Sequence, residues 1–255
     1  MHILALDFPP LSHIVHWPDI WLSGTPFAIN KIVLIYMVSA FLSLLIFILG
    51  NKKQMVPTGM QNVAEMAIDF VREGIVMETL GEKGLKYTPF MLSLFLYIFF
   101  NNIFEIIPAI QMPATARIAL PLFLALMSYV IYNGAGFKEH GFFGYFKHVL
   151  FPPGVPVFLY ILVTPIEFIS NFLVKPFSHC VRLFANLLAG HILLVTFAVL
   201  CSGLFTAQWY AIFLPLPLFA VIFFTAFELL VSFLQAYVFT LLFGVYLSQA
   251  ISHEH

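Results

Sequence analysis

The stretch Val174–Val195, VKPFSHCVRLFANLLAGHILLV, narrows the possible folds more than any other part of the chain. Its pattern is apolar and helical, yet it carries Lys175, Arg182, Asn186 and His191. Beyond Arg182 no Asp, Glu, Lys or Arg occurs until Glu228. An arginine centred in hydrocarbon costs from about 2.5–3.5 kcal/mol on insertion scales to about 10–17 kcal/mol in simulations. Such a charge faces protein or a water-filled cavity and marks a functional site by default. The competing reading is an arginine near a helix end that snorkels to the interface. The apolar sequence extending far on both sides weighs against it.

At 100° per residue, Lys175, Ser178, Arg182, Asn186 and Ala189 fall on one broad stripe, with Ala185 and Gly190 near it. The stripe is polar in places and otherwise small, and small residues let another helix approach closely in lipid. His191 follows Arg182 by nine positions, which turns it about 180° to the opposite face.

The rest of the chain agrees with a membrane setting. Charged residues make up 9% of the sequence and hydrophobic ones 62%, against about 25% charged in a soluble domain. Apolar runs of about 20 residues recur, which predicts transmembrane helices rather than a barrel of short alternating strands. A net charge of -1 offers nothing for nucleic acid. Cys180 and Cys201 lie in apolar helical sequence and read as small core residues, not as a disulfide pair. The N-terminus has no basic start before an apolar core, so it does not read as a cleaved signal peptide.

Taken in order, the sequence predicts an all-α integral membrane protein in a single membrane domain. It has five membrane-embedded helices and one interfacial amphipathic helix, the last two spans forming a long tilted hairpin. Residues 1–30 are proline-rich, with Asp7, His13, His16 and Asp19, and read as extramembrane. Ile32–Leu49 is the first span, followed by the basic Asn51-Lys52-Lys53. Residues 57–86 mix charges with Val63, Met66, Ala67, Phe70, Val71 and Ile75 at helical spacing. That segment reads as an amphipathic surface helix that docks on a partner or the bilayer, or as a plain solvated connector. Tyr87–Pro108 is the second span and Ala119–Gly136 the third. Counting spans alternately puts Lys52, Lys53, Arg72, Lys83, Lys86, Lys138 and Lys147 on one side, which the positive-inside rule makes cytoplasmic. The N-terminus is then outside and the C-terminus cytoplasmic. From PPGVP at Pro152–Pro156, residues 155–252 run apolar, interrupted at Pro165 and Pro176, with a turn expected at Ser202-Gly203 and an irregular start at Pro215 and Pro217. Both helices of this hairpin are too long to stand upright in a core of about 30 Å, so they are tilted, broken or both.

On the last helix Glu228 and Gln235 are seven apart, two turns, with Ser232 between them on the same face. His191 and Arg182 are the groups available across the hairpin to relieve a buried Glu228. A His–Glu pair there is either a proton relay or a static interhelical hydrogen bond. Glu105, close to Pro108, is either an interfacial carboxylate or a proton-access group. The C-terminal Ser-His-Glu-His lacks the further ligands a metal site needs, and no metal or cofactor is expected.

Three motifs then converge. RLFANLLAGH at Arg182–His191, FELLVSFLQAYVFTLLFGVYL at Phe227–Leu247 and NNIFEIIP at Asn101–Pro108 resemble subunit a of the rotary F-type ATP synthase. The resemblance covers nearly the whole chain and is weakest over residues 1–30. It implies that the tilted hairpin curves against a ring of c subunits, each with one membrane carboxylate. Arg182 matches the family's essential arginine, Gln235 the glutamine beside it and Asn186 the asparagine one turn along. His191 and Glu228 match a channel pair that some members carry with the two residue types exchanged. Asn102 and Glu105 would line one half-channel, and Glu167 and Ser178 the other. Glu167 lies one residue further from Lys175 than its counterpart in some members. Ile110 replaces an acid that some members have, and no role attaches to His179 or Cys180.

The resemblance also implies partners: the c ring, the b subunits of the peripheral stalk, the remaining synthase subunits and the bilayer. Protons would pass from an outer half-channel to the ring carboxylate and leave through a cytoplasmic one, with Arg182 blocking a shortcut between them. The chain would do no bond chemistry, and the absence of a phosphate-binding glycine loop agrees. A bacterial plasma membrane fits, as does an organellar inner membrane. Two other readings compete. A secondary transporter should show repeated halves, and none are visible. A purely structural subunit would leave several costly intramembrane polar groups without use.

Overall fold

Asn30 starts the first helix. Its side-chain oxygen accepts hydrogen bonds from the Ile32 and Val33 amides at 3.1 and 3.0 Å, which caps helix α1, Lys31–Gly50. The structure is a computed structural model that describes residues 21, 30–50, 58–107, 117–151, 155–206 and 210–252. The rest of the 1–30 segment, Lys52 and Lys53, Pro108, Ile110, Pro152–Gly154 and the C-terminal His-Glu-His lie outside the described residues. Helix α1 buries a narrow seam of Ile32, Ile35, Ser39 and Ser43, and leaves Leu34, Met37, Phe41, Leu44 and Ile48 exposed. It is a peripheral helix that packs on α2 and α3 through its small residues.

Helix α2, Met60–Val71, continues as a π turn at Arg72–Met77, a single helical turn at Glu78–Leu80 and a 3₁₀ stretch at Gly81–Tyr87. The amphipathic segment thus forms, but not as one uniform helix. Its buried seam is Gln61, Ala64, Val71, Ile75 and Val76. Val63 and Met66, read as part of the apolar docking face, are exposed. The reason is local: Gly50 and Ala64 meet so closely that a Cβ on Gly50 would collide with Ala64, so the small face docks and the bulky stripe turns outward. Phe70 is partly exposed, yet its ring sits 5.6 Å from those of Phe95 and Phe233. A plain solvated connector would not bury Val71, Ile75 and Val76 completely.

Helix α3, Thr88–Ile103, is the central one and buries Met91, Leu92, Leu94, Phe95, Leu96 and Ile98 among others. Its 16 residues rise about 24 Å, short of a core of about 30 Å. Among the described residues, four helical stretches are long and apolar enough to cross a membrane: Lys31–Gly50, Ala119–Leu150, Val157–Phe205 and Ala211–Ile251.

Helix α4, Ala119–Leu150, runs past the Gly136 end expected from sequence and folds back at Gly141, where φ is 70° and ψ 168°. The Tyr145 hydroxyl donates to Asn133 Oδ1 at 2.6 Å. Twelve residues of straight helix would separate them by about 18 Å. Gly136 leaves room for the returning Tyr145 ring, which a Cβ would strike.

The chain then enters the hairpin. A 3₁₀ turn at Val157–Leu159 leads into α5, Tyr160–Ile169; a π turn at Ser170–Val174 joins it to α6, Lys175–Thr206. The helical run Val157–Phe205 is 49 residues long, roughly 70 Å. It is continuous through both prolines. Pro176 has no N–H to give and its ring crowds the carbonyl four residues back; the π turn just before it lets the Lys175 amide bond to Ser170, five residues back. Ser202-Gly203 is not a turn, because α6 continues to Thr206. Helix α7, Pro215–Ile251, begins with proline in its first turn, where a missing N–H costs nothing. One core cluster, from Val71 on α2 to Ala250 on α7, ties α3, α4, α6 and α7 together.

The fold-back at Gly141 lies in a backbone region open essentially to glycine alone, and no atom stands where its Cβ would be. Gly141→Ala should therefore destabilise the detergent-solubilised chain by about 1–3 kcal/mol through backbone strain alone. Gly134→Ala, helical and equally unobstructed, should be neutral or stabilising. Thermal melts of both variants check this.

Candidate functional site

The inner seam of α7 carries Glu228, Ser232 and Gln235, all buried, at the spacing read from sequence. Opposite them α6 presents Asn186, and its Nδ2 donates to Gln235 Oε1 at 2.9 Å. This bond crosses the hairpin one helical turn from Arg182. Arg182 is half-buried on the open side of α6, beside Ala185 and Ala189, which are exposed. Among the described residues it meets no carboxylate within ion-pair distance. Its guanidinium cannot deprotonate, so a permanent charge stands on this face without an internal counter-charge.

Toward the α6–α7 connection lies an acidic cluster. Glu228 is 2% exposed and its carboxylate lies against Gly190, where any Cβ would occupy the same space. Glu105, also 2% exposed, has Oε1 3.5 Å from His191 Nδ1. The partner of His191 within ion-pair reach is thus Glu105, not Glu228. Geometry explains the difference. His191 is on the far side of α6 from Arg182 and faces the turn that follows α3, whereas Glu228 approaches the hairpin seam through the gap at Gly190. Asn102 Nδ2 donates to the Ser232 carbonyl at 3.4 Å, tying α3 to α7 beside the cluster. A cavity of about 470 Å³ opens here, lined by Asn186, Ala189, Gly190, Glu228 and Gln235.

A second cavity, of about 340 Å³, lies at the other end of the hairpin and is lined by Tyr132, Tyr145, Glu167, Lys175, Tyr246 and Gln249. A polar chain crosses it. Asn171 Nδ2 donates to Glu167 Oε2 at 2.8 Å, Lys175 Nζ donates to Asn171 Oδ1, and Lys175 Nζ also donates to Gln249 Oε1 at 2.8 Å. His148 Nε2 approaches the Gln249 carbonyl at 3.2 Å. The extra residue between Glu167 and Lys175 is absorbed by the π turn at Ser170–Val174. Eight residues of plain α-helix would rotate the pair about 80° apart, and one inserted residue takes back about 100°. Both therefore face the cavity. Ser178 is half-buried and does not line it.

Asn171, Gln249 and Tyr132 are the residues that sequence reasoning missed. Asn171 was signalled, four positions from both Glu167 and Lys175. Gln249 was not, since its partner Lys175 is 74 positions away.

The two cavities sit on either side of Arg182, from Lys175 to Gly190 along α6. A family model described as ATP synthase A chain matches residues 32–248. The chain belongs to that family. ATP synthase subunit a of Rhodococcus erythropolis (strain PR4 / NBRC 100887) is 43% identical over 254 residues, covering 98% of this chain and 90% of the relative. The Frankia alni protein is 39% identical over 243 residues, covering 94% and 84%. That of Rhodopseudomonas palustris (strain BisB18) is 43% identical over 230 residues, covering 86% and 88%. With its long apolar helices the chain is a multi-pass membrane member of the ATP synthase family, whose work is proton transport coupled to ATP synthesis. Bacterial relatives place it in a plasma membrane. The family match leaves the secondary-transporter reading unsupported.

The contact between Gly190 and Glu228 makes a specific demand. Gly190→Ala should push the Glu228 carboxylate out of its place and cut ATP-driven proton pumping by about tenfold or more, the order expected for losing one well-placed polar contact. Adding Glu228→Asp, one methylene shorter, should recover part of the loss. Pumping by inverted membrane vesicles at equal chain content checks both.

Proposed function

We propose that the chain is the proton-conducting stator subunit of an F-type ATP synthase, in which the two cavities are the inner parts of two offset half-channels and Arg182 stands between them. The observation that carries this reading is the placement of a permanent, internally unpaired cation between two polar cavities that follow one another along a single helix. Such a charge repels a proton moving along the direct route and attracts an anion arriving from outside the chain.

The partner that supplies the anion is a ring of c subunits, each bringing one carboxylate to the open face of α6. That face is narrow and small-sided, with Ala185 and Ala189 exposed beside Arg182, which suits close helix approach. A proton enters from the outer side past Asn102, Glu105, His191 and Glu228, and neutralises a ring carboxylate near Asn186 and Gln235. The neutral site then moves into lipid at low cost. After nearly a full turn a protonated site reaches Arg182 from the other direction and releases its proton into the cavity at Glu167 and Lys175, which opens to the cytoplasm. Gln235, held by Asn186, keeps the Arg182 region polar without adding charge. Each proton crossing 100 mV supplies about 2.3 kcal/mol, so several drive one ATP. Nucleotide chemistry belongs to other subunits, and the b subunits of a peripheral stalk hold this chain still. The N-terminus lies outside and the C-terminus in the cytoplasm, as the distribution of Lys and Arg requires.

Arg182→Ala should abolish ATP-driven acidification of inverted vesicles at equal content of assembled complex. Undiminished pumping would overturn the electrostatic gate and with it this reading.

A further inference from the structure

Arg182 and Lys175, at the cavity, are seven positions apart on α6, about 10 Å of rise. A proton leaving the Arg182 region has to cross that interval. The residues available on α6 are Pro176, Phe177, Ser178, His179, Cys180 and Val181. Ser178 belongs to the open stripe. His179 and Cys180 are the two buried side chains of this interval, and of the two only the imidazole offers one donor and one acceptor nitrogen, one turn from Lys175 and one turn from Arg182. It is 4% exposed, and neither ring nitrogen has a hydrogen-bond partner among the described residues.

A buried imidazole without a partner forgoes hydrogen bonds it would make in water, and such groups are rare. The surroundings of His179 show where its partner belongs. Its ring lies 3.7 Å from that of Phe239 and 5.8 Å from that of Tyr246 on α7. Tyr246 is a wall of the second cavity, with Lys175 Nζ 5.3 Å from its ring. Tyr132 on α4, another wall of that cavity, has its ring 5.8 Å from Tyr246, and its hydroxyl is likewise buried without a partner among the described residues. The Tyr132 hydroxyl thus stands in the wall of a cavity that already holds Glu167 and Lys175, and the two ring nitrogens of His179 lie one ring further in, behind Tyr246. The titratable and charged groups around the imidazole are Tyr246 on α7, with Tyr132 of α4 behind it, and Lys175, Cys180 and Arg182 on its own helix. Glu167, His148 and Tyr145 stand across the cavity.

We propose that His179 and Tyr132 bind water that continues this cavity inward to Arg182, and that the His179 imidazole relays the departing proton along it. The inference rests on the half-channel reading above and adds a residue to it. In the relay the unprotonated ring nitrogen takes a proton from water on the Arg182 side, forming imidazolium. The opposite nitrogen gives a proton to water on the cavity side, and a half-turn of the ring about its Cβ–Cγ bond restores the starting arrangement. No charge is stored and no bond to carbon changes. The Tyr132 hydroxyl holds the receiving water by accepting or donating one hydrogen bond.

The test uses the intact synthase complex in liposomes, with ATP-driven proton pumping measured while the pH on the ATP side alone is varied. His179→Leu should lower the rate about tenfold at equal complex content and alter the ATP-side pH profile. His179→Gln, which still bonds water, should recover most of the rate. Tyr132→Phe, which removes one oxygen, should lower it several-fold. Full pumping by His179→Leu with an unchanged profile would overturn the proposal and leave His179 as core packing. If His179→Leu fails to assemble, Tyr132→Phe decides: an undiminished rate overturns the water path. Arg182→Ala in the same assay separates the two claims. Its loss of pumping beside a normal His179→Leu would sink the relay alone, while its retention of pumping would sink the half-channels.

Discussion

A polar group in hydrocarbon must find its partner inside the protein, and the α6–α7 hairpin is arranged around that requirement. The Asn186–Gln235 bond joins the two helices one turn from Arg182. On one side the seam widens at Gly190, where the absent Cβ admits the Glu228 carboxylate. On the other it widens where Lys175 reaches across to Gln249. The remaining helices serve these two openings. Helix α3 brings Asn102 to the Ser232 carbonyl, and the turn after it brings Glu105 to His191. Helix α4 doubles back at Gly141 so that Tyr132 and Tyr145 wall the second opening.

The helical irregularities have the same origin. A π turn adds one residue to a helix without ending it. At Ser170–Val174 it carries the chain up to Pro176 and returns Glu167 to the face of Lys175. At Arg72–Met77 it carries the chain through the buried pair Ile75 and Val76. The first sits at a point where sequence phase and required contact disagree, and one inserted residue reconciles them.

What could be read from sequence was what one helix determines by itself. The polar stripe through Lys175, Arg182 and Asn186, the opposite placement of His191, and the Glu228–Ser232–Gln235 seam all follow from 100° per residue, and the structure has them. So does the all-helical class, because apolar runs of that length leave little else. What could not be read depended on a second element. The partner of His191 is Glu105, 86 positions away in the turn after α3, and no periodicity connects them. The fold-back of α4 turns on one glycine among many. The buried phase of α2 depends on Gly50 meeting Ala64. Ser202-Gly203 looked like a turn because those residues favour one, but lipid-length packing kept α6 helical through them.

On the proposed reading, the two openings differ in chemistry as well as position. The one at Glu228 has a second carboxylate, Glu105, and an imidazole close by, with no lysine or arginine among its lining residues. Its carboxylates and imidazole are groups that can take up a proton. The one at Glu167 offsets its carboxylate with Lys175, and an amide, Asn171, sits between the two. A proton arriving there meets no concentrated negative charge that would hold it. Capture on one side and easy departure on the other are what a ring carboxylate needs as it is loaded and then emptied beside Arg182. On that reading Lys175 is more than a second copy of the arginine's charge: it offsets Glu167, which leaves Arg182 as the cation a newly ionised ring carboxylate would meet without an internal counter-charge.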